Sequence, residues 1–277
     1  MDIHYIERPE GRLAFSLEGT GPLVIATPGM GDLRDGYRDL AAALIAAGYR
    51  VALVDLPGHG DSDISFTRFG DIEIGGHLLA LIEQLGGPAV LVGNSLAGSA
   101  AAWASAQSRS AIAGLVLSSP FLREPQSPRQ LAANRLLYRV LLAGPWGPSM
   151  WASLYRSSFA QGRKPAWFDE HVSALKASLR RPGRMAALRT LAVQLDHTAM
   201  EEVQVTAPSL TVVGALDPDY DDPATELAYL AERTGGATTL VDDAAHYAHF
   251  QAPDVVTPLV LDFLSGLRDG ANWAARA

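Results

Sequence analysis

Short runs of nearly unbroken apolar residues alternate along this chain with longer stretches whose apolar positions recur at helical spacing. Leu23–Thr27, Arg50–Asp55, the run from Ala89 up to Ser95, and Ile112–Ser118 are dominated by Val, Leu, Ile and Ala. Such runs mark strands buried on both faces. Tyr37–Ala47 and Phe69–Leu85 have helical spacing, with Gly48 and Gly86-Gly87-Pro88 as stops, and a further helix runs from Ser95 through Trp103. Ahead of them, Ile3–Glu7 and Arg12–Leu17 flank Pro9-Glu10-Gly11 and predict an antiparallel hairpin. Strand and helix in strict alternation predict a parallel sheet with helices on both faces.

The rhythm stops at Phe121. From there to about Val205 the pattern offers helix-like stretches near Gln130–Leu142, Pro148–Ser158, Trp167–Ser178 and Gly183–Leu195, broken by Gly144-Pro145, Gly162 and Pro182-Gly183. The span exceeds what one crossover needs, so it predicts an all-helical insertion, a cap over the strand ends. Ordinary crossover helices are the plainer alternative. The alternation then resumes with a strand at Ser209–Gly214, a helix at Pro223–Thr234, a strand at Thr238–Val241 and a closing helix at Ala252–Leu267. Residues after Gly270 read as a loose tail. The expected division is a core of residues 1–120 and 206–270 with a cap of residues 121–205.

Composition narrows the function classes. A chain of 277 residues, 48% hydrophobic, can bury one large core or a core plus a cap. Its formal net charge of -8 argues against nucleic-acid and anionic-membrane partners. With no cysteine, a disulfide framework, a thiol nucleophile and a Cys-based zinc site are excluded. The first residues, Met1 to Pro9, lack the basic start and apolar run of a signal peptide, and no apolar stretch is long enough to span a bilayer. A cytoplasmic location is therefore expected. Oligomeric state leaves no mark on the sequence.

The chemistry centres on Gly93-Asn94-Ser95-Leu96-Ala97-Gly98. A strand-to-helix turn of the Gly-x-Ser-x-small kind holds its serine in a strained conformation and lifts the hydroxyl above the sheet. Three further pieces follow strand ends. His246, in the loop after the last strand, can act as a base near neutral pH. Asp217, after the strand that follows the insertion, can hold an imidazole in one tautomer; Asp219, Asp221 and Asp222 are its rivals. The loop Thr27-Pro28-Gly29-Met30-Gly31 offers the Met30 amide which, with that of Leu96, can face a developing oxyanion.

Taken in order, Gly-Asn-Ser-Leu-Ala-Gly at 93–98, Asp-Leu-Pro-Gly-His-Gly-Asp-Ser at 55–62, Gly-Ala-Leu-Asp at 214–217 and Ala-His-Tyr-Ala-His-Phe-Gln-Ala-Pro at 245–253 resemble the α/β-hydrolase superfamily. The resemblance implies an eight-stranded, mostly parallel sheet with a helical cap inserted after the sixth strand. It also implies a serine-nucleophile hydrolase with Ser95, Asp217 and His246 as the triad, in the chain order that fold uses. Two departures stand out. Pro28-Gly29 replaces the usual His-Gly of the oxyanion loop, and Ala97 replaces the common second Gly of the elbow.

Other features point elsewhere and fall short. Gly29-Met30-Gly31 with Asp55 imitates a dinucleotide fingerprint, but Arg34 stands where the third glycine belongs. His246 and His249 have a His-x-x-His spacing with no Glu to complete a zinc motif, so His249 is expected to pack beside the site. His59 and Asp61 are expected to hold loops together, and Asp196-His197 to form an exposed helix end. The aromatic-rich set Trp146, Met150, Trp151, Tyr155, Phe159, Trp167 and Phe168 should mostly be core of the inserted helices, with a few lining an apolar pocket. The expected activity is hydrolysis of a small to medium, largely apolar carboxylic ester through an acyl-enzyme, with a small-molecule substrate and no cofactor or metal. Thioesters, lactones, amides and carbon–carbon bonds beside ketones stand behind esters. The alternatives are a cofactor-free perhydrolase or haloperoxidase-type enzyme, a small-molecule sensor, and a lyase.

Overall fold

The computed structural model describes residues 2–269 and Trp273. Eight strands form one sheet: β1 (Ile3–Arg8), β2 (Gly11–Glu18), β3 (Leu23–Thr27), β4 (Arg50–Val54), β5 (Ala89–Asn94), β6 (Ile112–Ser118), β7 (Ser209–Gly214) and β8 (Ala237–Val241). Their spatial order is β1-β2-β4-β3-β5-β6-β7-β8. β1 with β2 and β2 with β4 are antiparallel; every other neighbouring pair is parallel. From β3 the chain steps outward to β4, then returns across to β5 on the other side. That reversal opens a crevice at the carboxyl ends of β3 and β5, the position where open parallel sheets bind ligands.

Alternate residues of the parallel strands face opposite layers. The first three helices are α1 (Arg38–Ala46), α2 (Asp71–Leu85) and α3 (Leu96–Gln107). Ile25, Leu91, Leu115 and Leu117 pack with Leu78 and Leu81 of α2 and Ala100 of α3. Val24, Ala26, Val90, Val92, Val116 and Val212 pack on the other face. There they meet Leu40 and Leu44 of α1 and Val256, Val260 and Leu264 near the chain's end. The continuous apolar strands thus feed two cores at once.

Between β6 and β7 lie α4 (Pro128–Leu141), α5 (Gly147–Leu154), α6 (Phe168–Leu179) and α7 (Arg184–Gln194). Trp151, Tyr155, Phe168, Val172, Leu175 and Leu188 form a third core with Tyr247 and Phe250. Helix α4 opens on a Ser127–Gln130 capping box and buries none of its residues. Leu136 and Val140 are 62% and 58% exposed. Among the described residues the span's strand-type contact is one antiparallel bridge, Gly162 with Ala244.

After β7 come α8 (Pro223–Thr234), the short α9 (Ala248–Gln251) and α10 (Pro253–Asp269). The structure differs from the sequence pattern in detail. The first helix is entered through a 3-10 turn at Arg34–Tyr37. The Pro148–Ser158 stretch divides into α5 and a π-turn at Tyr155–Phe159. Helix α9 is too short to show a period. The expected loose tail fails at Trp273, which is buried and stacks on Tyr49 with ring centroids 5.5 Å apart. The rest of that stretch lies outside the described residues. No helix among the described residues is long and apolar enough to cross a membrane.

Candidate active site

Ser95 sits between β5 and α3 with φ 56° and ψ -127°. A non-glycine residue in this region stores roughly 1–3 kcal/mol of strain, and neighbours must enforce it. Here Ser95 N–H donates to Ser118 O at 2.8 Å, and Ser99 N–H donates to Ser95 O at 3.0 Å. Strand and helix nearly touch: a Cβ on Gly93 would lie 2.5 Å from Ala97 O. Ala97 is fully buried, so the elbow accommodates its methyl group. The Ser95 side chain stands at the helix start, where the Leu96 amide has no intrahelical acceptor.

His246 and Asp217 meet directly. The imidazole Nδ1 lies 3.0 Å from both Asp217 carboxylate oxygens, and both residues are buried. The carboxylate also accepts the Asp219 N–H at 3.1 Å. Asp219 Oδ2 is 3.4 Å from the same Nδ1, with a third of its side chain open. Burial alone would push the imidazole's pKa down; the Asp217 and Asp219 carboxylates outweigh it and hold it up at about 9. Desolvation, then the Asp217 charge, lifts the Asp219 carboxyl to about 6 against the pull of His246. The other rivals lie apart: Asp222 caps α8 by accepting the Ala224 N–H at 3.1 Å, and Asp221 is exposed.

The histidine loop is tied to the elbow through Asn94, which the sequence did not single out. Its Nδ2 donates to His246 O at 2.9 Å and to Ser118 O at 3.2 Å. The position is the variable one of the elbow pattern, so no spacing signals it. No hydrogen bond joins the Ser95 hydroxyl to the His246 ring among the described residues. The π-turn supports the loop from the other side, since His246 N–H donates to Phe159 O at 3.1 Å. The Phe159 and Phe121 rings lie 5.8 and 6.3 Å from the imidazole, which gives the site apolar walls.

The Gly29-Met30-Gly31 loop rests on the elbow. A Cβ on Gly29 would lie 2.9 Å from Ser95 Cβ and from Asn94 Oδ1. Gly31, at φ 70°, donates its N–H to His59 Nε2 at 3.1 Å. That bond makes Nε2 the acceptor, so the proton sits on Nδ1, 2.8 Å from Pro57 O. Burial lowers the His59 pKa and keeps the ring neutral, as this pattern requires. The loop-holding expectation for His59 and Asp61 holds, with Asp61 pairing to Arg34 at 3.0 Å.

His249 packs as expected: it stacks on Tyr37 at 4.4 Å, and burial pushes its pKa down to about 3. The expectation for His197 is corrected. It is buried, pairs with Asp71 at 2.9 Å and stacks on Phe121 at 4.5 Å. Burial opposes its charge, but Asp71 more than offsets that and raises its pKa. Asp71 begins α2, far back in the chain, so no local spacing announces the pair. Among the described residues, Asp217, Asp219 and His246 are the group whose ligand atoms fall within 4.8 Å of one another, and those atoms already face each other.

Residues 23–259 match the model of the alpha/beta hydrolase family. The chain belongs to that family. It is 27% identical over 256 residues to a pimeloyl-[acyl-carrier protein] methyl ester esterase of Neisseria meningitidis, covering 87% of this chain and 76% of that one. It is 25% identical over 269 residues to an AB hydrolase superfamily protein of Bacillus subtilis, covering 88% and 90%. Among solved structures, a thermophilic esterase from Thermogutta terrifontis superposes with a TM-score of 0.79 at 23% identity, over 96% of this chain and 99% of that one. An enol-lactonase from Burkholderia xenovorans gives 0.76 at 20%, over 95% and 100%. This alpha/beta hydrolase therefore shares its fold with both.

Proposed function

We propose that this alpha/beta hydrolase is a serine carboxylesterase whose triad is Ser95, His246 and Asp217. The observation that carries the reading is the strained serine next to Asn94, whose amide grips the carbonyl of a histidine held on a buried carboxylate. Ser95 Oγ attacks the acyl carbon as its proton passes to His246 Nε2. The Met30 and Leu96 amides donate to the tetrahedral oxyanion. The leaving alcohol takes the proton from His246, and a water deprotonated by the same ring then releases the acid. Ser95 Oγ and His246 Nε2 come into hydrogen-bonding reach as substrate docks. Asp217 keeps the Nδ1 proton in place throughout. Residues 121–205 serve as a cap, and Phe121 and Phe159 favour a small to medium, largely apolar acyl group. Similarity to a methyl ester esterase supports ester over other acyl bonds. A serine at the elbow disfavours reactions that need an aspartate nucleophile.

A fluorophosphonate probe tests this directly. Wild-type protein should be labelled at Ser95, and the Ser95→Ala protein should not. Absence of labelling in folded wild type points to a sensor or a lyase instead. A chain-length series of p-nitrophenyl esters then reports the pocket depth.

A pH profile tests the electrostatics. The base must be neutral, so kcat/KM should rise as pH climbs toward about 9. A nearby negative charge favours the imidazolium, so removing one lowers the histidine's pKa. Asp219→Asn should therefore move the rising limb to lower pH while leaving the high-pH plateau within a few-fold. An unmoved limb would mean that the Asp219 charge is not felt at the base.

A further inference from the structure

We propose that Trp151 and His171 are positioning residues that set the direction of the Met30 amide. The inference rests on the serine-esterase reading, since it concerns the oxyanion site of that reaction. The Met30 N–H belongs to the Gly29–Met30 peptide group, whose carbonyl points the opposite way. That carbonyl has one partner among the described backbone bonds, the Asp32 N–H at 3.4 Å. So long a bond orients weakly. The plane of the peptide thus depends on how firmly Gly31 and Asp32 are held.

Both are held by side chains from outside the sheet. Trp151 Nε1 of α5 donates to Gly31 O at 2.7 Å. Its ring lies against the α-carbon of Gly31, where a Cβ would come within 2.3 Å of ring atoms. His171 Nε2 of α6 lies 2.7 Å from Asp32 Oδ1, and both side chains are wholly buried. The same oxygen accepts the Leu33 N–H at 2.7 Å. With His59 holding the Gly31 N–H, the loop is gripped on three sides, two of them by residues of the inserted segment. A covering that only closed over substrate would have no need to bond the backbone of a catalytic loop. These contacts make α5 and α6 part of the oxyanion machinery, while α4 makes no hydrogen bond to residues 29–33 among the described residues.

The test uses Trp151→Phe, which keeps a ring but loses the donor, His171→Phe, and His171→Gln, which restores an N–H. Arg181→Gln is the control: Arg181 also ties the inserted segment to the core, through Gly60 O at 2.9 Å, without touching residues 29–32. Removing one oxyanion donor costs about 10²–10³ in kcat, so misdirecting one should cost on the order of 10- to 100-fold. Trp151→Phe and His171→Phe should lower kcat by that factor with KM within about two-fold. Affinity for a trifluoromethyl ketone, whose adduct with the serine carries the tetrahedral oxyanion, should fall in proportion. His171→Gln should recover most of the loss, and Arg181→Gln should match wild type. Unchanged kcat, or a rise in KM alone, in folded Trp151→Phe would overturn the proposal while leaving Ser95 labelling intact. If His171→Phe does not fold, the paired results of Trp151→Phe and His171→Gln decide it. Failure of wild type to take the fluorophosphonate would instead remove the reading beneath it.

Discussion

Ser95→Ala is expected to lower ester turnover by on the order of 10⁴ or more with the fold intact, measured as kcat on a p-nitrophenyl ester by purified protein. The substitution removes one oxygen from a residue whose backbone is fixed by its neighbours rather than by its own side chain: two hydrogen bonds, to Ser118 O and from the Ser99 amide, and the packing of Gly93 on Ala97 hold the φ of 56°. Alanine tolerates that backbone no worse than serine does. The thermal midpoint should therefore stay near wild type while chemistry stops. The residual rate comes from an intact oxyanion site and bound substrate. Turnover within ten-fold of wild type would mean that another group attacks the substrate, and the esterase mechanism above would be wrong.

Asp217→Asn should cost roughly 10⁴ in kcat, by analogy with the same change in other triads. Both carboxylate oxygens face His246 Nδ1, and the residue is buried, so no water takes over the role. An amide presents a donor to Nδ1 as readily as an acceptor and so favours the wrong tautomer. The imidazolium formed during attack also loses its closest counter-charge. Asp219 stands 3.4 Å from the same nitrogen and is the group able to inherit the pairing. The single variant and the Asp217→Asn/Asp219→Asn pair should be compared in kcat at fixed pH. If Asp217→Asn is nearly silent and the double variant is not, Asp219 is the working acid.

The sheet was legible because its strands are buried on both faces, which writes them as uninterrupted Val, Leu and Ile. β3, β6 and β7 begin and end where that pattern does. The catalytic candidates were legible because each follows a strand end, and an open parallel sheet brings those ends to one rim. Helix boundaries were blurrer, since end residues are chosen by capping and by tertiary contacts more than by period. What sequence could not show were partnerships between remote, ordinary-looking residues. Asn94 occupies a variable place in its motif, yet it ties the serine to the histidine loop. His197 looked solitary because Asp71 lies in a different element. Trp151 looked like one more aromatic in a helical stretch, and its importance comes from a single indole N–H aimed at a backbone carbonyl. Periodicity records which face a residue turns inward; it says nothing of what waits there.

Helix α4 holds its place with half-buried contacts alone, and Leu136, Leu137 and Val140 face outward. Large-to-small replacements there forfeit little packing, so each should change folding stability by no more than about 0.5 kcal/mol. Those three outward positions can therefore drift, in a natural lineage or a laboratory library, without loosening the fold.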